Sequence, residues 1–589
     1  MEQLEFFSGE PGLRKFIEFL FSSECDTTEI WCHFGGIYDF LFILDEVLCD
    51  DKIKVYDMIP RGSGLLQFTI SLKGREITFR DSSAILPFGL DSITKNFGVE
   101  HKKLKMDRSK ITNDTPLVRE YLTHDVKGLY ESIKKFREWG PIKDVGMKPT
   151  IASQSIAILR KYLPVEIPAL NQGDDEFIRK GYFGGRTEIY KPLFEGSSKK
   201  LLHVYDINSL YPYCMREYDF PVHIKSRGCK FTLGETVGFV DCLVEIPDMY
   251  CPPLPSVQMV TSFYADDNGK LKKRESKKLI FPTGIIKGSW SSLELEYAAS
   301  LGVKILKVYD CMSFHKVIPV FKDFVNTMYD IRQKAEKNSV DNTLAKLVLN
   351  SCYGRMGLNR SREKLDFEAF KSGENPCYEF SDGRGRAVRI AKSDYWAKNT
   401  FSHVGIAAWV TSAARIENHK NQSLLDFNVF MTDTDSFFTT KKLKTGGALG
   451  ELKLEYDVQR ACFLLPKTYL VEAPQDIFSY EKESGEKVRT NKKLAMKGFD
   501  KTVINGFTFK DFAMAVEGDC SRLKTHSKGK MARMKTAWNK GEVLTLLEDS
   551  TKQIRSSYDK RRIVRTRSGK YDTEPLHFKD GKIQNARSR

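Results

Sequence analysis

The strongest constraint on this chain is a short acidic stretch, Met431-Thr432-Asp433-Thr434-Asp435-Ser436. Apolar, β-prone runs flank it, Phe427-Asn428-Val429-Phe430 before and Phe437-Phe438-Thr439-Thr440 after. That pattern predicts a hairpin with two carboxylates at its tip. Acids one residue apart repel, so a fold that holds them together needs positive charge beside them. Oxygen-only ligands suit magnesium or manganese. A solvent-facing acidic turn has the same string, so the metal reading requires a second acid in matching context.

Asp206 supplies that acid. Leu201-Leu202-His203-Val204-Tyr205 reads as a buried strand, and Asp206-Ile207-Asn208-Ser209-Leu210-Tyr211-Pro212 follows it. A carboxylate at a strand's end is held by rigid backbone, as a metal ligand must be. Together Asp206 and Asp435 can hold two cations ~4 Å apart, the spacing that serves both the attacking and leaving oxygens of a phosphoryl transfer.

A third element lies between these acids. Phe321, Phe324, Met328 and Ile331 fall at helical spacing and predict an amphipathic helix from about Phe321 to Lys337. A polar turn, Asn338–Asn342, leads into a second helix over 344–353, where Lys346, Asn350 and Tyr353 share a face. Lysine there can meet a triphosphate, and the tyrosine can stack on a base pair. A solvated face shows the same stripe. Arg332 and Lys334 on the first helix offer further positive charge, and the sequence leaves open which is the phosphate partner.

With 589 residues, 41% of them hydrophobic, the chain can bury several cores. Its net charge of +16 favours polyanionic partners. The excess is uneven: Ser521–Arg589 holds 19 Lys/Arg against 7 Asp/Glu, or +12, leaving +4 for the rest. The C-terminal part is therefore expected to grip a nucleic-acid backbone, Lys560-Arg561-Arg562-Ile563-Val564-Arg565 included. The 12 cysteines contain no Cys-x-x-Cys pair, which argues against a zinc or iron–sulfur site. The acidic start lacks the look of a targeting peptide, and no apolar run approaches the ~20 residues of a membrane span. An intracellular, thiol-reducing setting without membrane contact is expected.

The heptapeptide Asp206–Pro212 resembles motif A of the family B DNA polymerases. Thr432–Ser436 resembles motif C, and Lys346-Leu347-Val348-Leu349-Asn350-Ser351-Cys352-Tyr353-Gly354 resembles motif B. The resemblance runs from about residue 30 to the end. It implies that Asp206 and Asp435 are metal ligands for two Mg2+ (or Mn2+), with Asp433 in support. It makes Tyr211 a gate against a ribose 2′-hydroxyl, and Arg332, Lys334, Lys346, Asn350 and Tyr353 the nucleotide site. Tyr182-Phe183-Gly184-Gly185-Arg186 resembles a template-contacting stretch of the family, where paired glycines admit a phosphate and Arg186 adds charge. Thr411 and Arg415, Lys467 and Tyr469, and Lys497 resemble primer-strand contacts. A glycine turn and a structural helix arginine are the plain readings of the first two.

Near the N-terminus, His33–Asp39 and Tyr121–Asp125 resemble the second and third motifs of the family's 3′–5′ exonuclease, with Asp39, Tyr121 and Asp125 as the matching residues. Arg80–Pro87 resembles that domain's single-strand contact. The first exonuclease motif, an Asp-x-Glu, has no match before Asp39, so little or no excision is expected.

The expected architecture is α/β and multidomain, a right-hand polymerase behind an incomplete ribonuclease H-like exonuclease domain. The divisions are exonuclease-like 1–165; palm 166–225, 291–315 and 361–505; an inserted region 226–290; fingers 316–360; and a basic thumb 506–589. The insert, with its run Gly269–Arg274, is either a functional hairpin or a solvated loop. The resemblance points to the protein-primed branch known from phages, adenovirus-like viruses and linear plasmids. It implies primer-template DNA, deoxynucleoside triphosphates and a terminal priming protein as partners. A polymerase relative without chemistry, or a reverse transcriptase or RNA polymerase, are the competing readings. The intact acids disfavour the former; Tyr211 and the motif B string disfavour the latter.

Overall fold

The computed structural model describes residues 4–8, 11–48, 50, 52–106, 114–265, 271–366, 378–381, 387–397, 401–481, 486–496, 506–531, 547–554, 558–567, 569–579 and 582–583. Lys497 lies outside them.

The predicted hairpin forms over Val429–Asp433 and Ser436–Thr439. It occupies the centre of a five-stranded antiparallel sheet ordered Leu452–Val458, Leu202–Ile207, Ser436–Thr439, Val429–Asp433, Thr187–Ile189. Val204, Met431, Phe438 and Val458 pack on one side of this sheet with Ile189 and Phe463, whereas Tyr205, Val429 and Phe437 pack on the other. Apolar residues on both faces fix the register, because a one-residue slip would exchange every side chain's face.

The two helices expected over 321–337 and 344–353 form as Lys322–Lys334 and Val340–Met356, the second capped by Ser339 Oγ accepting from Asn342 N. Phe324 and Met328 of the first and Val348, Leu349 and Cys352 of the second join one core, which also takes in the helix Val404–Ser423. Trp139 of the N-terminal domain shares this core, and its Nε1 donates to Asp341 Oδ1 at 2.8 Å. The N-terminal domain has its own four-stranded sheet, ordered Glu29–Cys32, Arg75–Asp81, Gly64–Leu72, Lys54–Arg61, with Phe40, Phe68 and Phe79 at its centre.

Residues 226–290 are more than a loop. Gly238–Ile246 and Thr283–Ser291 are strands of a six-stranded sheet that also holds Ile224–Arg227, Lys304–Phe314 and the C-terminal strands His577–Lys579 and Lys582–Ile583. Among the described strands of this region, those of the hairpin Ser256–Ala265/Leu271–Ile280 lie outside that sheet. A second group of strands, Ser361–Asp366, Tyr378–Ser381 and Ala387–Trp396, forms a separate sheet directly after the helix Val340–Met356, apart from the sheet of the acidic hairpin. Among the described residues no helix is long and apolar enough to cross a membrane.

Candidate active site

Asp206 and Asp435 meet across neighbouring strands. Asp206 is registered opposite Ser436, and Ile207 N donates to Asp435 O at 2.8 Å. Asp433 faces Ser436 across the hairpin turn. Thr434, between the two acids, has φ +71°, a left-handed conformation that a β-branched residue rarely adopts. Three contacts hold it there: Thr434 N donates to Arg186 O at 2.7 Å, Asp435 N donates to Asp433 O at 2.9 Å, and Asn418 Nδ2 donates to Thr434 O at 2.8 Å. The strain therefore sits at the tip that carries both carboxylates.

Crowding these acids has an electrostatic cost. Burial, reinforced by Asp435 and Glu455, pushes the Asp206 carboxyl up to about 7, while Lys453 and Lys346 oppose the rise. Burial also raises Asp435, and Asp433 adds to it. Asp433 Oδ1 is buried without a hydrogen-bond partner, and Lys467 Nζ approaches it only to 3.8 Å. The three carboxylates do not form a closed three-ligand cluster as they stand, but two raised carboxyls and an unsatisfied buried oxygen are groups that a divalent cation would relieve.

Lys346 and Asn350 are exposed and Tyr353 is half-buried on one helix face. Lys346 counters the rise of Asp206, so its ammonium shares the cleft with the acids. Tyr353 stacks on Tyr211 with ring centroids 4.4 Å apart and planes 15° apart. Gly185 closes the other side: a Cβ there would lie 2.7 Å from Thr434 Cγ2 and 2.9 Å from Tyr211 Oη. Glycine is needed because the loop backbone runs between the tyrosine and the acidic turn. Arg332 Nη1 donates to Ser209 Oγ at 3.0 Å and so reaches the turn after Asp206, whereas Lys334 is exposed at the helix end. Between the two candidate phosphate partners, Arg332 is the one tied to the acidic centre.

Three expected DNA contacts are turned inward. Arg186 is 1% exposed and paired to Glu188 at 2.7 Å. Thr411 is buried, its hydroxyl donating to Ala408 O at 2.9 Å. Arg415 is buried against Glu294 at 2.8 Å and donates through Nη1 to the carbonyls of Phe183 and Gly184 at 2.7 and 2.9 Å. Arg415 thus fixes the glycine loop from beneath. Both guanidiniums are buried against protein groups, Arg186 on Glu188 and Arg415 on Glu294 and two loop carbonyls, so neither presents an exposed face. Gly184 stays exposed, and Tyr182 packs on the end of the helix Val340–Met356, where a Cβ on Gly357 would lie 2.6 Å from its hydroxyl. Tyr469 lies beside Asp433 and Tyr456, its phenol raised chiefly by burial.

In the N-terminal domain, Lys103 Nζ donates to Tyr121 Oη at 2.9 Å and to Asp125 Oδ2 at 2.5 Å. Burial opposes the lysine's charge, but these partners outweigh it and raise its pKa. Asp125 Oδ1 is buried without a hydrogen-bond partner. Asp39 stands at a helix start, raised by partial burial and by Asp81. Neither Asp39 nor Asp125 belongs to a three-ligand cluster among the described residues; the cluster found there is Glu100, His101 and Glu131. Sequence reasoning missed Lys103, Glu188, Glu294 and Asn418. Lys103, Glu294 and Asn418 have partners 14 or more positions away, and Glu188, although two residues from Arg186, has no local mark of the burial that pairs them.

A sheet carrying paired acids, with two helices packed beside it and an exonuclease-like domain ahead, defines a right-hand nucleotide polymerase fold. The structure of phi29 DNA polymerase in ternary complex with primer-template DNA and incoming nucleotides matches with TM-score 0.67 and 20% identity, over 92% of this chain and 93% of that one. The family model for DNA polymerase type B, organellar and viral, matches residues 105–383. A probable DNA polymerase of Ascobolus immersus is 25% identical over 75% of this chain and 40% of its own length. The DNA-directed DNA polymerase of Enterobacteria phage PRD1 is 25% identical over 69% of this chain and 66% of its own. Over residues 105–383, a little under half of its length, the chain is similar to the organellar and viral type B DNA polymerases. It spans about half the length of the fungal relatives it matches, 47% for that of Podospora anserina.

Proposed function

We propose that this chain is a template-directed DNA polymerase that adds deoxynucleotides to a primer 3′-hydroxyl, with two magnesium or manganese ions held by Asp206 and Asp435 and supported by Asp433. The observation that carries this reading is the register placing Asp206 beside Asp435 on hydrogen-bonded strands, below the exposed Lys346–Tyr353 face. Bound there, the cations supply an acidified 3′-hydroxyl and charge neutralisation for pyrophosphate. Lys346 and Arg332 offer cationic contacts to the triphosphate. The stacked Tyr211 and Tyr353 rings wall the nucleotide's sugar side, which is the shape a 2′-hydroxyl would strike. Relatives described as DNA polymerases, and a phi29 complex with primer-template and nucleotides, support this choice of substrates.

On this reading the sheet around Asp206 and Asp435 is the palm, 316–360 the fingers and 506–589 the thumb. The sequence resemblance to the protein-primed branch implies initiation on the hydroxyl of a terminal protein. The N-terminal domain, with Asp125 engaged by Lys103, serves as scaffold and contributes little excision.

Primer extension tests the assignment. The wild type should extend a DNA primer with deoxynucleotides and magnesium. Asp206→Ala and Asp435→Ala should not, while binding primer-template with affinity within about twofold of wild type, since each removes a metal ligand and no basic contact. Synthesis by either variant refutes the assignment.

A further inference from the structure

The densest basic run of the C-terminal part, Lys560–Arg565, begins with two side chains that face protein instead of solvent. Arg561 is fully buried. Its Nε donates to Thr573 Oγ1 at 2.8 Å, its Nη2 donates to Tyr250 O at 2.9 Å, and its Nη1 lies 3.7 Å from Glu188 Oε1. Glu188 is buried as well, held from the other side by Arg186, whose guanidinium stacks on Phe281 at 4.0 Å. Lys560 Nζ donates to both Thr187 O and Thr187 Oγ1 at 2.8 Å. Tyr558 Oη accepts from Ile189 N at 2.7 Å.

The contacts of Lys560 with Thr187, of Arg561 Nη1 with Glu188 and of Tyr558 with Ile189 fall on the strand that borders the acidic hairpin. Thr187 is registered opposite Asp433 and Glu188 opposite Thr432, while Arg186 O holds Thr434 N. Residues some 370 positions later in the chain therefore clamp the outer face of the strand that sets the turn between the carboxylates. A buried ion group adds little net stability over an apolar packing of the same volume, but it admits one geometry. Metal ligands need that kind of constraint.

We propose that Lys560 and Arg561 are positioning residues of the catalytic hairpin: acting through Thr187 and Glu188, docking of the C-terminal strand pair sets the orientation of Asp433 and Asp435 toward the metal ions. The proposal rests on the polymerase reading. It also moves these two residues from the DNA grip to the support of the acidic centre.

The test compares Lys560→Met, Arg561→Met and Arg561→Lys with wild type in the full chain. The readouts are Mn2+ binding by electron paramagnetic resonance without DNA, the single-turnover incorporation rate at saturating DNA and nucleotide, primer-template affinity, and thermal midpoint. A displacement of the carboxylates of order 1 Å should cut the incorporation rate about 10- to 100-fold and weaken Mn2+ binding, with primer-template affinity within about twofold. Arg561→Lys, which keeps the charge, should recover part of the loss. If Arg561→Met does not fold, Lys560→Met still decides, because it removes only two hydrogen bonds to one threonine. A folded Lys560→Met with wild-type rate and Mn2+ affinity overturns the proposal, as does a loss confined to DNA affinity. Asp435→Ala separates the two ideas. Undiminished synthesis in that variant sinks the polymerase reading, whereas its inactivity beside a wild-type-like Lys560→Met sinks the positioning role alone.

Discussion

Replacing Asp206 with asparagine should stabilise the metal-free protein while destroying its proposed chemistry. The folded carboxyl rises from the ordinary aspartate value of 3.8 to about 7, with burial the largest cause and Asp435 the next. At 1.36 kcal/mol per pKa unit the shift corresponds to about 4 kcal/mol; solvent reaching a half-buried carboxyl reduces this to roughly 2 kcal/mol. The sign follows from comparing protonation states. Below about pH 4 the group is protonated both folded and unfolded, and contributes nothing. Between about pH 4 and 7 the unfolded chain loses its proton first, so stability falls as pH rises; above about 7 the full penalty remains. Asparagine carries no such penalty. In EDTA at pH 8 the midpoint of Asp206→Asn should exceed that of wild type by a few degrees, at about 2–4 °C per kcal/mol for chains of a few hundred residues, and the gap should close toward pH 4. Magnesium should raise the wild-type midpoint and leave the variant nearly unchanged, because binding to the folded state alone is what stabilises. Equal midpoints for the two proteins across that range, or no magnesium effect on wild type, would refute the electrostatic reasoning.

Other perturbations bear on neighbouring groups. Lys346→Ala should raise the nucleotide KM by about 10-fold, consistent with loss of one charge-assisted contact, and leave primer-template affinity unchanged in a filter-binding assay. Tyr211→Val removes the ring stacked on Tyr353 at 4.4 Å and should narrow the preference for deoxy- over ribonucleotides in competition assays. Arg415→Met strands Glu294 in the interior; it should cost about 3–5 kcal/mol in denaturant unfolding, where a mere DNA contact would cost almost nothing.

Local patterns make the acidic hairpin, the strand ending near Asp206 and the helices Lys322–Lys334 and Val340–Met356 legible in the sequence. Each is specified by residues within a dozen positions: apolar alternation, a turn and a helical stripe. The acids themselves stood out because charge in an apolar setting is informative at any single position. Nothing local told Arg186 and Arg415 apart from phosphate contacts, since an arginine preceded by glycine or alanine reads the same whether it meets DNA or a buried glutamate. Their fate depended on Glu188 and on Glu294, the latter 121 positions from its arginine.

By itself, then, the sequence determined which groups are available for chemistry and which short elements carry them, because side-chain type and periodicity act over a few residues. The tertiary structure decided which charges face the cleft and which are consumed in holding it, turning Lys560 and Arg561 inward and leaving Lys346 outside. The reason is physical: a guanidinium or ammonium binds any carboxylate or carbonyl brought within reach, and only the packed fold determines what comes within reach.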